Sequence, residues 1–186
     1  MESRRTRPIL TLVVLTTLAF QAALLAQRPW PKQTSHPIFV SRQTASLPEA
    51  LRAALMGRDE FSQGRNALPS TLFVARADLD GNRVEEIIVR SPQFYSGGPQ
   101  VFVFERQRDQ FVEIADLQGT VYFGPRANGY LEIVAQARAG AGEYTRILYR
   151  YERNRYQPVR VADYRETEAG GPLAFVRERS PAQFRR

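Results

Sequence analysis

The sequence predicts an all-β domain of about seven or eight antiparallel strands, built from two internal repeats and preceded by one short helix and an N-terminal hydrophobic helix. Two observations predict it. From Leu72 onward, short runs rich in β-branched and aromatic residues alternate with turn residues at the period of strands. In addition, Phe104-Glu105-Arg106-Gln107-Arg108, followed by Ile114-Ala115-Asp116, returns 47 residues later as Tyr151-Glu152-Arg153-Asn154-Arg155, followed by Val161-Ala162-Asp163. Upstream, Glu86-Ile87-Ile88-Val89 corresponds to Glu132-Ile133-Val134-Ala135 at an offset of 46. Two copies of one supersecondary unit fit a sandwich, a small barrel or two blade-like sheets packed face to face.

In chain order, residues 1–27 read as a signal peptide or transmembrane anchor. Arg4, Arg5 and Arg7 precede an uncharged run from Ile9 to Ala26, which as a helix would span about 27 Å at 1.5 Å per residue. That is close to the bilayer hydrocarbon core of about 30 Å. The run is longer than the apolar region of most signal peptides, and a cut after Ala26 would leave Leu24 at the minus-three position, so cleavage and anchoring both stay open. The arginines predict a cytoplasmic N-terminus with everything after Gln27 on the extracytoplasmic side. Residues 28–45 carry three prolines and little periodicity, which suits a linker.

The globular part is expected over residues 46–165. Ser46 is placed to cap a helix from Leu47 to Met56, with Pro48 in its first turn, Leu51 and Leu55 on one stripe and Gly57 past its end. Strands are expected at Leu72–Ala77, Glu85–Arg90, Gln100–Arg106, Phe111–Asp116, Leu131–Ala137, Tyr144–Arg153 and Tyr156–Ala162. Val101-Phe102-Val103-Phe104 is apolar on both faces, as in an interior strand, whereas Tyr149 and Tyr151 alternate with Arg150 and Glu152, as in a strand with one wet face. Residues 166–186 read as a tail that adds at most an edge strand near Leu173–Val176.

One loop carries recognisable chemistry. Asp78-Leu79-Asp80-Gly81-Asn82-Arg83-Val84-Glu85-Glu86 puts oxygen donors at loop positions one, three, five and nine, with the Val84 carbonyl at seven. A hard divalent cation takes six to eight oxygens, and a tight turn can aim Asp78, Asp80, Asn82, Val84 and Glu86 at one point. The same residues also suit a plain turn, with Asp80-Gly81 supplying the bend and Asp78 accepting from local amides. The loop and its following strand resemble the integrin-type FG-GAP and VCBS repeats over about residues 72–165. That resemblance implies one structural calcium ion at the five positions just named. Two departures stand out: those repeats often have glycine where this chain has Arg83, and the corresponding second loop, Pro125-Arg126-Ala127-Asn128-Gly129-Tyr130, has no carboxylate before Glu132.

The remaining sequence mostly excludes. With no cysteine there are no disulfides, thiolate nucleophiles or cysteine zinc sites, and His36 is the one histidine. No nucleophile and base stand out together, so the expected function is non-enzymatic binding. The formal charge of +7 rests on arginine, Lys32 being the one lysine among 26 basic residues. It suits an acidic partner protein or an anionic surface such as lipid or polysaccharide. Phe94 and Tyr95, beside Ser96-Gly97-Gly98, are ligand-loop candidates, set against the plainer reading in which they tuck into the core and the glycines merely turn the chain. Tyr149 to Arg160 interleaves tyrosine with arginine as single-stranded nucleic-acid surfaces do, but strand alternation alone gives that pattern, and an exported domain rarely meets nucleic acid. The expected setting is an exported or membrane-anchored binding domain. The alternative is a structural accessory subunit docked into a membrane complex through its N-terminal helix.

Overall fold

The computed structural model describes residues 29–62 and 67–184. The hydrophobic run Ile9–Ala26 and the final Arg185-Arg186 lie outside them. No helix among the described residues is long and apolar enough to cross a membrane.

Among the described residues, ten strands form two open antiparallel sheets of five. The first contains, in spatial order, β1 (Val40–Gln43), β2 (Thr71–Ala77), β3 (Glu86–Tyr95), β4 (Gly98–Gln107) and β5 (Gln110–Gln118). The second contains β6 (Thr120–Ala127), β7 (Tyr130–Gly140), β8 (Glu143–Glu152), β9 (Arg155–Glu166) and β10 (Leu173–Arg179), also in sequence order. Between β1 and β2 the chain makes a 3-10 turn at Thr44–Ser46 and two helices, α1 (Glu49–Met56) and α2 (Asp59–Ser62).

The all-β expectation holds; of the arrangements expected, the closed barrel is not formed, the strands lying in two open sheets, and there are ten of them among the described residues in place of seven or eight. The additional strands β1, β6 and β10 all lie at sheet edges. There Pro125 is tolerated in β6, because an edge strand needs no donor on its outer side and the register shifts between Phe123 and Arg126. Residues 34 and 35, within the expected linker, pair with the domain: the Thr34 amide donates to the Phe123 carbonyl, and the Phe123 amide to that of Ser35, both at 2.9 Å.

The helix differs from expectation at its start. It begins at Glu49 rather than Leu47, Pro48 occupies the capping position, and no side chain caps it. The Ser46 hydroxyl donates to the Gln43 carbonyl at 2.7 Å instead, spent within the preceding 3-10 turn. Leu51 and Leu55 are nonetheless fully buried, as their i, i+4 spacing requires.

Lys32–Arg186 form one compact unit, layered as helices, first sheet, second sheet. The first sheet is apolar on both sides. Val101 and Val103 join Ile88, Ile114, Val121 and Ile133 in the core between the sheets. Phe102 and Phe104 join Leu51, Leu55 and Phe61 beneath the helices. The passage between sheets takes one residue, Gly119, at φ +97°. A Cβ there would lie 2.1 Å from the Gln136 carbonyl oxygen, so only glycine lets β5 run into β6 against the β7 backbone. The β6–β7 hairpin turns on Asn128-Gly129 and the β8–β9 hairpin on Arg153-Asn154, with φ positive at all four, as type I′ turns demand.

Candidate metal loop and its surroundings

Between β2 and β3 the acidic loop is held by its own side chains. Asp78 accepts from the Gly81 amide at 2.6 Å and the Arg83 amide at 3.1 Å through its two oxygens. Asp80 accepts from the Asn82 amide at 2.9 Å and its side-chain nitrogen at 2.7 Å. Asn82 Oδ1 accepts from the Val84 amide at 2.6 Å, and Glu86 Oε2 from the Leu79 amide at 2.6 Å. Each short acidic or amide side chain thus ties an amide two to five residues on, which is why Asp and Asn suit this tight turn. Gly81 and Arg83 both sit at positive φ, +82° and +70°. Arg83 is therefore an arginine in left-handed backbone, its side chain exposed.

The loop brings three of the five predicted residues into one cluster. Asp78, Asp80 and Glu86 each offer a carboxylate oxygen within 4.8 Å of the others. Asn82 and Val84 belong to the same turn, both exposed. Glu86 is buried at the start of β3. Burial, with the Asp80 and Glu105 charges adding to it against the bond from Leu79, pushes its pKa up to about 7 from an ordinary 4.5.

Arg126 braces the loop from the second sheet. Its Nη1 donates to the Leu79 carbonyl at 2.8 Å and to that of Gly129 at 2.9 Å, and its Nη2 to that of Asp78 at 3.2 Å. The Leu131 amide adds a bond to the Leu79 carbonyl at 2.7 Å. Three tyrosines close the neighbourhood: Tyr130 and Tyr151 stack at 3.6 Å, and Tyr156 meets both edge-on while donating to the Leu131 carbonyl at 2.8 Å. Burial raises the pKa of all three hydroxyls, and the negative charge of Asp80, Glu86 or Glu105 reaches each of them.

Phe94 and Tyr95 stand apart from this cluster. They end β3, whose first residue is Glu86, so about 30 Å of strand separates the two candidate sites at 3.4 Å per residue. Both are exposed rather than tucked into the core, Phe94 at 76%, and the Tyr95 hydroxyl bonds Gln93 Oε1 at 2.7 Å. His36 is also exposed. In the Tyr149–Arg160 segment, Tyr149 and Tyr156 belong to the core, Arg150 pairs with Glu132, and Arg160 with Glu178, so strand alternation accounts for the pattern. Sequence reasoning missed Arg126, which lies in a loop without carboxylates, 47 residues from the Leu79 carbonyl it holds.

The chain matches no family model, no curated protein and no solved structure.

Proposed function

We propose that this chain is an exported or membrane-anchored, non-enzymatic binding domain stabilised by one calcium ion in the Asp78–Glu86 loop. The observation that carries the metal reading is the convergence of Asp78, Asp80 and Glu86 on one turn. The donor set fits a hard cation: it is all oxygen, and each carboxylate oxygen that accepts an amide keeps a second lone pair. Asn82 and the Val84 carbonyl complete the set implied by the FG-GAP and VCBS resemblance. A divalent ion would also offset the repulsion between Glu86 and Asp80. The repeat reading is supported by position, since Phe104–Arg108 leads into the β4–β5 hairpin and Tyr151–Arg155 spans the β8–β9 hairpin. The extracytoplasmic setting rests on Ile9–Ala26 and the arginines before it.

Calorimetric titration of the full-length chain with calcium tests the metal. One site is expected, with stabilisation of about 2.7 kcal/mol at a hundredfold excess over Kd. Terbium in place of calcium should luminesce on tyrosine excitation, given Tyr130 and Tyr151 nearby. Absence of heat, with an unchanged Tm at millimolar calcium, would overturn the metal assignment.

A further inference from the structure

A cleft of about 420 Å³ opens between the sheets, within the range of about 300–1,000 Å³ typical of small-molecule sites. Gln100 of β4 and Asp116 and Gln118 of β5 form one wall, strands β7 to β9 form the other, and Phe184 lies at the rim. The chemistry of these walls is mixed in a particular way.

Among the described residues, two guanidinium groups line the cleft, those of Arg138 and Arg155. Arg155 Nε is buried and bonds nothing among the described residues. The carboxylate that feels the Arg155 charge is Glu113, and Glu113 is ion-paired with Arg58. Arg155 is therefore a cation in surplus, with a buried donor whose desolvation is not offset. Asp116, which accepts from Gln100 Nε2, contributes one negative charge against the two positive ones. Beside these stand the aromatic surfaces of Tyr149, Tyr156 and Phe184 and the side-chain amides of Gln118 and Gln157.

A ligand matching all of this needs a carboxylate for guanidinium, hydroxyls that exchange bonds with the Gln118 and Gln157 amides, and a C–H face for an aromatic ring. Inorganic phosphate has no apolar face. A fatty acid has no hydroxyls for the Gln118 and Gln157 amides. We propose that the cleft binds a sugar acid of the uronic type, its carboxylate on Arg155 and its ring against the aromatic side chains. This deepens the binding reading above and rests on it, but not on the calcium loop.

The full-length chain is titrated with glucuronate and with a uronic-acid oligosaccharide, using glucose and acetate as controls. Glucuronate should bind more tightly than either control. A further gain for the oligosaccharide identifies the end of an acidic polysaccharide as the source, and equal affinity a free sugar acid. Arg155→Gln should weaken glucuronate binding by about tenfold or more, as loss of a charge-assisted bond does, with an unchanged Tm confirming the fold. Should that variant not fold, Arg138→Gln is the second probe and should weaken glucuronate but not glucose. The proposal is overturned if glucuronate fails to bind at millimolar concentration, if glucose binds equally well, or if folded Arg155→Gln binds undiminished. Calcium titration of the same sample separates the two readings: calcium bound without glucuronate removes the cleft assignment alone, and glucuronate bound without calcium removes the metal.

Discussion

Burial makes a charge on Glu86 costly. Its folded pKa of about 7 lies above the ordinary 4.5, so between those values the folded state holds a proton that the unfolded chain releases. Its contribution to stability is present below pH 4.5, declines as pH rises and is gone above about pH 7. In chelator, Glu86→Gln should flatten that slope and be more stable than the parent at pH 8 but not at pH 4; urea unfolding at the two pH values checks it. Adding calcium at pH 8 should stabilise the parent and not the variant. At this scale the sequence was informative about the loop and silent about its brace. Spacing along nine residues reveals which side chains share a turn, and Arg83 was visible as a departure. That Arg126 donates to the Asp78 and Leu79 carbonyls depends on two sheets packing together, which local spacing does not encode.

Among the elements, the strand buried on both faces was legible, as were the edge strand β5 and part of β10, whereas the edge strands β1 and β6 were not. Val101 to Phe104 are each at most 1% exposed, and their continuous apolar run announces an interior strand. All four residues of β1 are exposed, so no alternation marks it, and β6 is interrupted by Gly124-Pro125. The crossing at Gly119 was equally hidden, because glycine there answers to the backbone of Gln136 and Ala137 rather than to a local turn. Gly119→Ala should therefore destabilise by about 3 kcal/mol or more, combining left-handed strain with a backbone clash. Gly129→Ala makes the comparison, since φ is +86° there but nothing lies within 4 Å of the added methyl. Chemical denaturation of both should give a clearly larger loss at Gly119.

For the whole molecule, the helices are not decoration on a β sandwich. They cover an apolar sheet face that would otherwise meet water, with Leu51, Leu55 and Phe61 against Phe102 and Phe104. Leu51→Ala should cost about 2–5 kcal/mol, in the usual range for a buried leucine, and lower the midpoint of a single unfolding transition shared by helix and sheet signals. The second sheet meets solvent differently. Arg146 lies over the Tyr164 ring and bonds Gln136, while Arg150 and Arg160 pair with Glu132 and Glu178. Much of the basic composition is thus committed to neighbouring side chains, which narrows where an anionic partner could find an unpaired guanidinium.

The two sheets joined through Gly119 also set how this chain reaches its fold. Among the named strands, every ladder joins sequence neighbours, eight nearest-neighbour pairings with no crossover inside either sheet. Contacts of short sequence separation close small loops, so their entropic cost is modest and they form early. Nearest-neighbour wiring of this kind is expected to speed folding relative to β domains with crossed strands, with docking of the two sheets about Gly119 as the late step; stopped-flow refolding of Gly119→Ala checks it, a slowed final phase being the expected outcome.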